Sequence, residues 1–149
     1  MNITVRKGVL SDMTAVYDLV IELAIYEREE DAVHTTIKDY ESAFNEGIFE
    51  VLVAEHNNIV IGMMLYYMTY STWKGKMIYL EDFVVQEKFR RYGIGQILFD
   101  EFVKAAKDKE AALIKWQVLD WNEPALAFYR KNKAIIEKNW WNCKVFLTN

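Results

Sequence analysis

One cysteine, one proline and two histidines are all that these 149 residues hold of those types, and glycine stops at six. Each shortage excludes something. Cys143 alone cannot form an internal disulfide or a cysteine-based metal site. A reducing compartment is therefore expected. His34 and His56 stand far apart in polar stretches and suggest no metal pair. With Pro124 as the only proline and no Gly/Ser-rich tract, no linker divides the chain, and its length suits a single domain over 1–149. No apolar run reaches membrane-spanning length. The first six residues alternate like a strand and lack a signal-peptide core. A net charge of −4 argues against nucleic acid. The expectation is a soluble, cytoplasmic protein with no nucleic-acid or membrane partner.

What is present is apolar and aromatic, at 52% and 15% of residues, enough for a globular core. Ile3 to Arg6 alternate as a half-buried strand does. Ser11-Asp12 offer a cap for a helix whose apolar residues, from Met13 through Ile25, recur at helical spacing to about Glu27. Thr35-Thr36 cap a second helix ending near Gly47. Phe49 to Glu55 and Ile59 to Tyr70 form a hairpin around His56-Asn57-Asn58. Ser71 to Gly75 turn the chain into a third long strand, Lys76 to Val85. A helix from Ile94 to roughly Lys107 and an apolar strand, Ala112 to Val118, come next. Asn122 then caps a short helix, Ala125 to Lys131, with Pro124 in its first turn. Two strand-like pieces surround Asn139, the second covering Trp141 to Leu147. The prediction is an α/β domain with a mixed, mainly antiparallel sheet of six to seven strands and about four helices.

The segment Arg90-Arg91-Tyr92-Gly93-Ile94-Gly95-Gln96 lies between a strand and a helix start. Glycines there permit positive φ or close backbone approach. The N–H groups of a first helical turn attract an anion, and two arginines add charge. A Walker loop would continue with Lys-Ser/Thr, where this chain has Gln96-Ile97. A dinucleotide fingerprint needs a small residue where Leu98 stands. A surface turn with a helix cap is the plain alternative.

Two further segments hold chemistry. Glu81 and Asp82 interrupt the apolar strand Tyr79 to Val85 just before this turn. Alternation along a strand sends neighbours to opposite faces, so only one acid is expected in a given cleft. The other reading is an ion pair or a solvent-facing acid. Tyr129 lies two turns beyond Asn122 on the same helix face, where an aromatic residue is ordinarily core.

In order, these pieces resemble the GNAT acetyltransferases over nearly the whole chain. Arg90-x-x-Gly93-x-Gly95 resembles that superfamily's acetyl-CoA loop, and Asn122-x-x-Ala125-x-x-Phe128-Tyr129 the start of its last helix. Glu22-Leu23-Ala24-x-Tyr26-Glu27, Tyr66-Tyr67-x-x-Tyr70, Tyr79-Leu80-Glu81-Asp82-Phe83 and Trp121-Asn122-Glu123-Pro124 resemble the diamine group, the spermidine/spermine and thialysine acetyltransferases. The resemblance implies acetyl-CoA as acetyl donor. Main-chain groups of Phe83, Val84 and Val85 would hold its pantetheine arm. Arg90, Arg91, Tyr92, Gly93, Ile94, Gly95 and Gln96 would cradle the pyrophosphate, with Asn122 and Ala125 also touching the cofactor. Tyr129 would protonate the departing thiolate. Glu81 would orient the amine or take its proton, and Tyr26, Glu27, Asp82 and Trp73 would complete the amine pocket. A homodimer is implied as well.

The chemistry agrees with this division. A primary amine arrives protonated, with a pKa of about 10.4, and needs a carboxylate before it can attack a thioester. Direct transfer needs no nucleophilic Cys143. Ser71 stands where polyamine-acetylating members carry an acid, and Lys138 falls near another such acidic position; both favour a thialysine-type substrate over spermidine. Lys133 replaces a glycine that often follows the Tyr129 helix. The expected activity is N-acetylation of a small diamine or lysine-like amine. Polyamine acetylation is the alternative, ahead of protein acetylation or a non-catalytic CoA-binding module.

Overall fold

The computed structural model describes residues 1–148. They fall into two compact units, Met1–Gln117 and Val118 onward.

The first unit carries one five-stranded sheet in the order β1-β2-β3-β4-β5, built from β1 (Thr4–Lys7), β2 (Glu50–His56), β3 (Ile59–Ser71), β4 (Gly75–Val85) and β5 (Leu113–Lys115). Neighbouring strands from β1 to β4 are antiparallel, and β5 joins β4 in parallel. A parallel neighbour requires a crossover, and α3 (Ile94–Asp108) supplies it. Helices α1 (Met13–Tyr26) and α2 (Ile37–Asn45) fill the connection from β1 to β2.

Strand alternation divides the core between two faces. On one, Val51, Val53, Met63, Leu65 and Val84 pack against Met13, Val16 and Leu19 of α1. Burying each such side chain is worth about 1.5–3 kcal/mol. On the other, the Tyr66 ring lies 5.0 Å from Phe102 of α3. Gly62 belongs to this second face, where an added Cβ would stand 3.2 Å from a Leu98 methyl group.

Local signals explain the helix ends. Thr36 accepts from the Asp39 N–H while Asp39 accepts from Thr36, closing a capping box on α2. Asp12 holds the N-cap position of α1 but makes no cap bond there. Its carboxylate accepts from Arg6 at 2.8 and 2.9 Å and from the Val9 N–H at 2.7 Å. The expected Ser11-Asp12 cap is therefore spent on tying β1 to the turn before the helix.

In the second unit α4 (Glu123–Lys131) begins as predicted. Asn122 accepts from the Ala125 N–H, and proline sits in the first turn. Arg130 and Lys131 occupy the last turn, where they complement the helix dipole.

The sheet has five strands, not the expected six to seven. The apolar run from Ala112 to Val118 pairs only over Leu113–Lys115. Neither piece around Asn139 forms a strand among the described residues. Trp141, Val145, Phe146 and Leu147 are instead 91%, 86%, 81% and 93% exposed. Alternation makes a strand only when a neighbouring edge takes up its N–H and C=O groups.

Candidate active site

Two adjacent acids reach the same face of the sheet because β4 carries one extra residue. Leu65 pairs with Asp82, yet the next residue, Tyr66, pairs with Leu80. Glu81 is the inserted residue of a β-bulge, a feature that re-aims side chains. Leu80 belongs with Tyr66 on the α3 side, and Asp82 with Leu65 on the α1 side. The expectation that only one acid faces a given cleft is overturned by this insertion.

Glu81 is exposed and its Oε2 accepts from the Tyr67 hydroxyl at 3.1 Å. Tyr67 pairs across the ladder with Tyr79, and the two rings stack at 5.6 Å and 23°. Burial pushes the Tyr67 hydroxyl up to about 12, with the Glu81 charge adding to the shift, so it remains a donor at neutral pH. Asp82 is half-buried. Burial, then the charges of Glu81 and Glu27, push its carboxyl up to about 7. Burial likewise raises Glu27, at the C-terminal end of α1, with help from Glu29. Tyr40 of α2 is pushed up to about 12 by burial and then by Asp82. Glu81, Asp82 and Glu27 thus share an acidic face suited to a cation.

The turn after β4 has the geometry of an anion cradle. Gly93 is the N-cap of α3 at φ 77°, a conformation that disfavours side chains. Gly93 has no side chain with which to cap that end, and the first ladder bond runs from the Ile97 N–H to the Gly93 carbonyl. The N–H groups of Ile94, Gly95 and Gln96 therefore crown the helix start. Gly95 sits within the first turn without positive φ. Gln96 also donates to Asp100 at 2.9 Å. Arg91 has φ 70° and Tyr92 is 62% exposed. Arg90 turns inward: its Nε donates to the Val85 carbonyl at 2.9 Å, and Nη2 lies 3.9 Å from Glu22.

Beside this cradle the β4–β5 ladder ends at Tyr79 and Lys115, while β4 continues through Phe83 and Val84 to Val85. The end of β4 thus runs past the paired stretch of β5.

The remaining predicted residues fall elsewhere. In the second unit, Asn122 and Ala125 are joined as a helix cap, and Tyr129 is buried with its ring 5.8 Å from Phe128. Trp73 stands at the β3–β4 hairpin tip, 83% exposed, about 20 Å of extended strand from Glu81. Cys143 is exposed. No helix among the described residues is long and apolar enough to cross a membrane, and no acid, histidine or cysteine group there is placed for a metal ion. Sequence reasoning missed Tyr67, Tyr40 and Glu22 as members of the site. Only the segment Tyr66-Tyr67-x-x-Tyr70, which resembles the diamine group, hinted at the first.

Residues 13–133 match the acetyltransferase (GNAT) family model. Bovine (Bos taurus) thialysine N-epsilon-acetyltransferase is 34% identical over 153 residues, covering 95% of this chain and 90% of that protein. Human (Homo sapiens) spermidine/spermine N(1)-acetyltransferase-like protein 1 is 29% identical over 88% of this chain and 20% of its own length. An aminoglycoside acetyltransferase from an uncultured soil metagenomic sample, solved with trehalose, superposes with a TM-score of 0.81 at 19% identity, over 98% of this chain and 97% of that one. This last likeness concerns the fold.

Proposed function

From the GNAT acetyltransferase family, to which this chain belongs, we infer that its acetyl acceptor is the primary amine of a small diamine or lysine-like molecule, of the thialysine type. The observation that carries the reading is the bulge that puts Glu81 and Asp82 on one face, beside Glu27. One acid would hold the ammonium group while another takes its proton.

Acetyl-CoA, when bound, supplies an acetyl group activated as a thioester. The N-terminus of α3, with Arg91 beside it, fits the diphosphate. The end of β4, Phe83 to Val85, would align the pantetheine arm along its main chain. Tyr129 is the proposed acid. As nitrogen bonds to the acetyl carbon and the carbon–sulfur bond breaks, its hydroxyl gives the thiolate a proton. The amine's own proton passes to the carboxylate side. The family match crosses from the first compact unit into the second, which supports one catalytic domain containing both.

Ser71 supports the lysine-like substrate. Its Oγ accepts from the N–H groups of Trp73 and Lys74 at 3.3 and 3.1 Å, so it builds the hairpin tip and offers no charge to a distal ammonium. A substrate with its own carboxylate tolerates that loss. The 34% identical relative that acts on thialysine points the same way. Spermidine or spermine remains the alternative because of the polyamine-type relative. Thiol release with acetyl-CoA and thialysine, lysine, putrescine, spermidine or a lysine peptide decides among them. Turnover led by thialysine is expected. Clear preference for spermidine would overturn the reading of Ser71. Tight CoA binding without turnover on any amine would favour a non-catalytic module.

A homodimer completes the proposal. Trp140, Trp141, Val145, Phe146 and Leu147 expose an apolar surface that a second copy could cover. Trp73, remote from Glu81 within one chain, would enter an amine pocket only from such a copy. Sedimentation of the protein and a Trp141→Ser/Phe146→Ser variant tests this, with the variant expected to be monomeric. A single exposed cysteine suits a reducing compartment such as the cytoplasm.

A further inference from the structure

We propose that Tyr67 is the positioning residue of the acetyl-transfer site, fixing the Glu81 carboxylate toward the amine with Tyr79 as its backing. This inference rests on the reading of Glu81 as the amine-side acid.

A residue inserted by a bulge lies outside the regular ladder, so its side chain needs another restraint. Glu81 is also exposed, which leaves its long side chain several rotamers. The Tyr67 hydroxyl donates to Oε2 at 3.1 Å and leaves Oε1 for an ammonium group. Tyr67 is itself restrained. It sits in the middle of β3, opposite Tyr79, with the two rings stacked at 5.6 Å. Stacked or edge-on aromatic pairs of this kind hold their geometry at little entropic cost. The hydroxyl is kept protonated by burial and by the carboxylate it serves. The donor is thus rigid and the acceptor mobile, as required of a group that aims another. Tyr67 does not touch the reacting atoms in this scheme; it acts through Glu81.

A double-mutant cycle on amine kinetics tests the assignment. Tyr67→Phe keeps the ring and the stack and removes only the donor. It is expected to raise the amine KM about tenfold, the scale of a lost hydrogen bond to a charged group. The acetyl-CoA KM and the melting temperature should stay at wild-type values. Glu81→Gln should raise the amine KM more. In the Glu81→Gln background, Tyr67→Phe should add less than twofold, because the residue acts through the missing carboxylate. If Tyr67→Phe is silent while Glu81→Gln is impaired, the inference fails and the reading of Glu81 stands. Equal losses in both backgrounds would show a separate role for Tyr67 and also overturn it. A harmless Glu81→Gln overturns the reading of Glu81, and this inference with it.

Discussion

The guanidinium of Arg90 lies 5.4 Å over the ring of Tyr26. Its Nε donates to the Val85 carbonyl, and Glu22, near its Nη2, accepts from the Glu87 N–H at 2.9 Å. One side chain therefore clasps the end of α1, the end of β4 and the turn before α3. The charge that a motif reading assigns to pyrophosphate is largely engaged within the protein.

Arg90→Ala is accordingly expected to raise the KM for acetyl-CoA and for the amine together, each about tenfold, because the clasp touches Tyr26 as well as the turn. Arg91→Ala should raise the acetyl-CoA KM alone, by about threefold, as a single exposed charge does. Steady-state kinetics with both substrates varied separates the two. An Arg90→Ala defect confined to acetyl-CoA would deny the clasp any role in the amine pocket.

Tyr129→Phe should lower kcat by about 10²-fold, the lower end of what a positioned general acid contributes. Acetyl-CoA affinity by calorimetry should change less than twofold, since the ring that packs in α4 is retained. An unaltered kcat would remove Tyr129 from the chemistry.

Asp82 links activity to stability. Folding raises its carboxyl from the ordinary 3.8 to about 7, so between those values the native state binds the proton more tightly than the unfolded chain. The stabilisation is fully present below about pH 4 and is lost as pH rises through 7, on the order of 2–4 kcal/mol in all. Asp82→Asn should melt higher than wild type at pH 8 and much closer to it at pH 4. It should also weaken amine binding at pH 8, where the native aspartate is charged. Paired melting curves and amine KM values check both halves.

Arg6 and Asp12 behave in the opposite sense. The hydrogen bonds from Arg6, against some cost of burial, hold the Asp12 carboxyl below its ordinary value. Its stabilisation is present above about pH 4 and is lost as pH falls through the depressed value. Asp12→Asn should cost about 1–3 kcal/mol at pH 7 by urea unfolding and lose less than wild type on acidification. Arg6 also pairs with Glu55 of β2, so Arg6→Ala should cost more than Asp12→Asn.

Much of this molecule can be read residue by residue from local chemistry. Thr36 and Asn122 cap their helices as their side chains dictate, and the apolar spacing from Met13 locates α1. The glycine turn was visible because Gly93 meets a backbone demand, φ 77°, that other residues satisfy poorly. Long-range facts were not visible. Nothing local to Glu81 announces that Leu65 and Tyr66 skip it in the ladder. The role of Arg90 depends on Glu22 and Tyr26, distant in sequence. The C-terminal alternation from Trp141 to Leu147 looked like a strand because period-2 patterning records what a segment could pair with, not whether an edge is present.

The bulge in β4 is also a change of phase. Before it, odd-numbered residues such as Tyr79 face α1; after it, even-numbered ones such as Asp82 and Val84 do. The pairing of two acids on one face is thus a property of residue count, not of residue identity. In a regular ladder with every acid retained, Glu81 would stand opposite Leu65 and Asp82 opposite Met64, on the face of Leu80, so the register alone decides whether the two acids meet.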